Sequence, residues 1–172
     1  HVGMARPLHL IHEGIIDAWI SSYQPDLPEP DNPDFAVIDL CRTPIKLVAN
    51  KYHPLANKKG LCKQDLESFP ALSLPKGWFP ITEEKLKSHG LWSSEARMKK
   101  YRKELWEDKT EDQATLSYAT CLGLEVMENL SVLDYDLDLI SGESLIVKKS
   151  LMDNEKVHSL LSHLKERILE KA

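Results

Sequence analysis

The stretch IKLVANKYHPLANKKGL, Ile45 to Leu61, decides how the rest of the chain is read. Its first six residues are apolar enough for a strand, and Pro54 then fixes the backbone of a turn. His53 stands at that break, where an imidazole could be a ligand, a base or a structural piece. No nucleophile with an evident base emerges anywhere in the sequence. The run therefore reads as a strand that leads out of one compact unit into the turn that opens another, with Leu55 packing inward.

Working outward from this pivot, at Thr43 to Asn50, short apolar runs alternate with helical patterns, the signature of an α/β protein. On the N-terminal side, RPLHLIHEG (Arg6 to Gly14) places Leu8, Ile11 and Ile15 near helical spacing, and Gly14 closes the helix. IIDAWIS (Ile15 to Ser21) suits a buried parallel strand. Pro25, Pro28, Pro30 and Pro33 make the next segment an extended loop. FAVIDLC (Phe35 to Cys41) and IKLVAN (Ile45 to Asn50) read as two strands separated at Pro44.

On the C-terminal side, KQDLESF is a short helix and ALSL (Ala71 to Leu74) a strand that ends in the turn PKGW. ITEEKLKSHGL is a helix with Thr82 as N-cap, ended by Gly90. RMKKYRKELW reads as a strand. TEDQATLSYATCLG reads as a helix capped by Thr110, with Ala114, Leu116, Tyr118, Ala119 and Leu122 on its inner face and Gly123 at its end. LEVM and LIVKK (Leu145 to Lys149) are strands. In the last helix Val157, Leu160, Leu161, Leu164, Ile168 and Leu169 form one apolar stripe.

The 172 residues carry a net charge of −5, with 42% hydrophobic and 28% charged residues. That balance argues against unaided binding to phosphate backbones, since the basic clusters KSHGLW and RMKKYRK are followed at once by acidic EDKTED. Cys41, Cys62 and Cys121 are far apart and odd in number, which suits buried free thiols in a reducing compartment. No apolar run approaches 18 residues, so no membrane span is expected.

Two metal patterns fail on spacing. His9 and His12 are three apart with Glu13 outside them, whereas the zinc-protease helix needs two histidines four apart. Asp134, Asp136 and Asp138 begin like a calcium loop, but its obligatory glycine is Leu139 and its bidentate glutamate is Leu145. No phosphate-binding glycine loop appears, so no cofactor is expected. What remains is geometry: in open α/β units, ligands sit beyond the carboxyl ends of strands and against helix N-termini. Three such places carry suitable groups: Ser21 and Ser22; Pro75, Lys76, Gly77 and Trp78; and Thr110, Glu111 and Asp112. Together they would suit a small polar or anionic molecule, although a plain turn or cap also accounts for each taken singly.

LIHEGIIDAWIS, LCRTPIKLVANKYHPLANKKGLCKQDLESFPALSLP and TEDQATLSYATCLGLEVM, in that order, resemble the effector-binding domain of LysR-type transcriptional regulators. The resemblance covers nearly the whole chain. It implies two Rossmann-like lobes joined by crossing strands, like type 2 periplasmic binding proteins. Lobe one would take residues 1–43 and 140–172, and lobe two residues 44–139. The ligand would lie between them, held by Ser21, Ser22, the LPKGW turn and the TED helix start, with Arg42 as a further anion partner.

The family's winged helix-turn-helix is not in this sequence, nor are its first strand and helix, and LGLEVMEN departs from the family's G-x-G-x-x-x-x-P. The implied protein is a cytoplasmic, non-enzymatic sensor of a small effector, with a carboxylate among the candidates. It would dimerise through its lobes and reach DNA only through the missing domain. A solute-binding protein of the same fold is the alternative, and a doubly wound enzyme a third reading that rests on fold alone.

Overall fold

The computed structural model describes residues 5–27, 32–72, 77, 79–91, 112–120, 124 and 127–169. The chain divides into two compact units, residues 1–42 with 141–172 and residues 43–140. Two strands carry it across the boundary.

In the first unit, helix α1 (Ala5–His12) ends at Gly14, whose φ of +72° is the left-handed conformation that glycine adopts without steric cost. Strand β1 (Ala18–Tyr23) pairs with β5 (Ile140–Lys148), from Ala18 opposite Val147 to Tyr23 opposite Gly142. The pairing is antiparallel, which corrects the parallel strand expected from Ile15 to Ser21. Apolarity alone does not distinguish the two. The residues Ile15 to Asp17 lead into the strand, and Ile15 is largely exposed.

Strand β2 (Phe35–Asn50) is a single strand of 16 residues where the sequence suggested two. Pro44 does not interrupt it, because its ring fixes φ within the extended range. Ladder pairing to the second unit's strands begins only at the next residue, Ile45.

The first unit buries two apolar layers. Ile11, Phe35 and Ile146 pack with Leu8, Ile16 and Trp19 on one side. Leu145, Val147 and Val157 pack with Leu161 and Leu164 on the other. The latter two leucines belong to the last helix, α4 (Glu155–Leu169), which starts where the Asn154 side chain accepts the Lys156 N–H at 2.9 Å. Of the expected apolar stripe, Val157 is buried and Leu161, Leu164 and Ile168 are partly buried, whereas Leu160 is 39% exposed.

In the second unit, β2 pairs antiparallel with both β3 (Leu116–Thr120) and β4 (Leu130–Val132). Strand β3 overturns the helix expected from Thr110 to Gly123. The spacing of Leu116, Tyr118 and Ala119 fits either period over so short a stretch, and tertiary pairing to Ile45–Ala49 prevails. Leu124 is helical where a strand was expected. Of the ALSL strand, Ala71 forms one parallel bridge to Leu116. The RMKKYRKELW strand lies outside the described residues.

Helix α2 (Lys63–Leu66) is opened by Asp65, whose carboxylate accepts the Cys62 N–H at 3.0 Å. Helix α3 (Pro80–Ser88) begins with proline at its first position, so Thr82 is buried within its first turn and Phe79 is the N-cap. Gly90, at φ +76°, ends it as expected. The unit's core joins Leu47 and Leu116 from the sheet to Leu66, Leu86 and Leu91 from the helical segments. Cys62 is exposed at the start of α2, so it is not the buried thiol expected, and Cys41 is half-buried.

The acidic run does local work. Asp134 accepts the Gly60 N–H, Asp136 accepts the Asp138 N–H, and Asp138 pairs with Lys85. No strand is assigned from Asp134 to Leu139.

Candidate functional site

The strand pair β1–β5 carries the candidate residues Ser21 and Ser22 of the first unit. Ser21 and Ser22 lie inside β1, not in a loop after it, because β1 continues to Tyr23. Alternation along the strand turns them to opposite faces. Ser21 is buried beside Ser144, whose hydroxyl donates to the Ser21 carbonyl at 3.4 Å. Ser22 is exposed, and its hydroxyl donates to the carboxylate of Glu143 directly opposite, at 3.0 and 2.9 Å.

Glu143 is 8% exposed, and burial pushes its carboxyl above the ordinary glutamate value, against the opposing effect of the Ser22 and Ser141 hydroxyls. The sequence reading missed it, because it started the last strand at Leu145 and left Glu143 in the preceding segment. The only available signal was an acid flanked by small residues just before an apolar run.

Arg42 lies within β2 and is exposed. Its guanidinium stands 3.6 Å from Asp39, and the Tyr23 hydroxyl donates to the same carboxylate at 2.6 Å. Burial and the hydrogen bond to Asp39 hold the Tyr23 phenol above its ordinary value. Cys41 is also raised, first by burial and then by the negative charges of Glu143 and Asp39. By the same alternation these are two polar groups on opposite faces of the sheet: the Ser22 hydroxyl with the Glu143 carboxylate, and the Tyr23 hydroxyl and Arg42 guanidinium with the Asp39 carboxylate.

In the second unit, Gly77 sits in a turn at φ +80° and donates its N–H to Glu83 at 3.2 Å, so α3 anchors the turn. Asp112 accepts the Ala114 N–H at 3.0 Å and the Thr115 hydroxyl at 2.8 Å. It therefore caps a turn before β3, not the helix start expected from its sequence. Pro75, Lys76, Trp78, Thr110 and Glu111 lie outside the described residues.

His53 is a structural piece of the same unit. Its Nδ1 accepts the Leu55 N–H at 3.1 Å, which leaves the proton of the neutral ring on Nε2. Nε2 is buried, with no hydrogen bond closed upon it. Burial lowers the imidazole below its ordinary value. Among the described residues, no group of three or more histidine, cysteine or acidic side chains is placed to hold a metal ion. No helix among them is long and apolar enough to cross a membrane.

Residues 1–96 match the LysR substrate binding domain family. The chain belongs to that family. It is a family of transcription-regulator ligand domains and not of enzymes. The fold is accordingly the α/β fold of LysR substrate-binding domains, which is periplasmic-binding-protein-like. No curated protein matches the sequence.

Solved structures agree on the fold. The regulatory domain of Synechocystis PCC6803 CcmR in complex with 2-PG superposes with a TM-score of 0.64 at 16% identity, covering 94% of this chain and 77% of that one. The BenM effector binding domain with its effector benzoate gives 0.63 at 19%, covering 95% and 73%. A Corynebacterium glutamicum OxyR mutant gives 0.63 at 14%, covering 96% of this chain and 53% of the other. The chain therefore spans about half the length of OxyR and about three quarters of the two ligand-binding domains.

Proposed function

We propose that this chain is the effector-sensing part of a LysR-type transcriptional regulator, without catalytic activity, acting in the cytoplasm as a homodimer. The observation that carries the reading is the family match over residues 1–96. It is supported by fold neighbours seen with benzoate and with 2-PG. The effector is a small molecule, for which Ser22 on β1 and Arg42 on β2 offer a hydroxyl and a guanidinium. The Gly77 turn with Pro75, Lys76 and Trp78, and the segment Thr110 to Asp112, are proposed as further contacts. Contact with DNA belongs to the other domain of such regulators. The effector acts by binding one arrangement of the domain more tightly than another, which is the only way a ligand shifts such an equilibrium.

The test is a thermal-shift screen of small carboxylates, aromatic acids and amino acids. An effector present at a hundredfold its Kd adds about 2.7 kcal/mol to stability. Ser22→Trp should abolish that shift, read against the variant's own unliganded melting temperature because Ser22 also bonds Glu143. A screen in which no compound stabilises the protein, or a shift that survives Ser22→Trp and Arg42→Ala, overturns this placement of the site.

A further inference from the structure

Glu143 is an unusual residue to find inside a sheet. It is 8% exposed, on the strand that returns the chain from the second unit to the first, three residues beyond the boundary. A buried carboxylate is ordinarily matched by a cation. Here, among the described residues, none pairs with it.

The groups around it are of the wrong kind. From β1 comes the Ser22 hydroxyl, and from β5 itself Ser141. From β2 comes Cys41, either neutral or negative, while Arg42 is engaged with Asp39. Helix α4 covers the adjacent Leu145 and Val147 with Val157, Leu161 and Leu164. Its Lys156, His158, His163, Lys165 and Arg167 are exposed, as is Glu166. Lys148, further along β5, is turned to the His12 carbonyl at 2.7 Å.

The Ser22 and Ser141 hydroxyls, both neutral, are the donors it has, where an ionised group seeks several donors and a cation. The neutral acid fits the site better, since it can keep its own proton and still accept from Ser22. We propose that Glu143 is a proton-sensing residue: protonated, it locks the β1–β5 ladder, and ionised, it loosens that ladder beside the crossing strand. The inference stands apart from the identity of any effector.

The direction of the pH effect follows from the raised value. In the folded protein Glu143 holds its proton at pH values where the unfolded chain, with its glutamate near 4.5, has released it. Its stabilisation is complete below that value and is lost as pH rises through the folded one.

The experiment compares thermal melting of the wild type, Glu143→Gln and Ser22→Ala from about pH 4.5 to about pH 8, with amide hydrogen exchange as a second readout. Glu143→Gln mimics the protonated acid, so its melting temperature should exceed the wild type's at the alkaline end by about 2–4 °C and converge at the acid end. Ser22→Ala removes the donor that favours ionisation, and should move the wild-type transition to higher pH. Protection of the β1 and β5 amides, corrected for intrinsic exchange, should fall with pH in the wild type and stay level in Glu143→Gln. Parallel melting profiles for wild type and Glu143→Gln, or a level β1–β5 protection in both, overturn the proposal.

Discussion

The rings of His53 and Phe69 lie 4.5 Å apart, centroid to centroid, at an interplanar angle of 55°. This tilted pair joins the turn after β2 to the end of the helical segment after it. With the Leu55 N–H bound to Nδ1, it explains why a histidine sits at 3% exposure in this turn. The residue orders the turn.

His53→Ala should therefore destabilise the protein by about 2–3 kcal/mol at neutral pH, through a lost ring contact and an unsatisfied Leu55 N–H. The pH dependence has a definite sign. The folded value lies below the 6.5 of the free imidazole, so the unfolded chain takes up protons first on acidification. Stability from this residue is complete above 6.5 and is lost as pH falls through the lower folded value. Urea denaturation midpoints across that range should decline in the wild type and decline less in His53→Gln.

Gly142 should be irreplaceable for a steric reason. It lies opposite Tyr23 in the ladder, and the Tyr23 ring occupies the place a Cβ would need. Gly142→Ala should cost about 1–3 kcal/mol. Combining it with Tyr23→Ala should cost less than the sum of the single changes, as expected for residues in direct contact.

Asp65 gives a pH dependence of the same sign as His53, shifted to the acid range of a carboxylate. Its carboxyl is held down to about 2, first by the Cys62 N–H and then by Lys58 and the Cys62 thiol. The stabilisation is present above the ordinary 3.8 and disappears as pH falls through about 2. Asp65→Asn should lower the melting temperature at pH 7 and converge with the wild type in strong acid.

The last helix offers a paired control. Val157 is 7% exposed and Leu160 39%, although both lie on the same sequence stripe. Val157→Ala should cost about 1–2 kcal/mol, whereas Leu160→Ala should stay within about 0.5 kcal/mol of the wild type. Equal losses at the two positions would mean that Leu160 is covered in solution.

What the sequence made legible was set by how many residues each pattern could use. The 15-residue α4 repeats its apolar spacing over four turns, and α1 and α3 each end at a left-handed glycine. Five residues of β3 contain too few repeats to separate periods, and there long-range pairing with β2 overrode the helical reading. The continuity of β2 was hidden by Pro44, which punctuates a sequence but not this strand. The same limit applied to the candidate site. Ser21 and Ser22 were picked out as polar residues at an expected strand end and Arg42 through the family resemblance, while Glu143 depends on a partner 121 positions away. No local pattern encodes that distance.

That separation also constrains how the protein can be made. β1 leaves the ribosome early, but β5, which pairs with it, emerges only after the whole second unit has been synthesised. At about 5–20 residues per second, the waiting time is on the order of 5–20 s. The inner unit is contiguous in sequence and can complete its own core first. The first unit is completed last, so nascent chains should expose the unpaired β1 to chaperones throughout that interval.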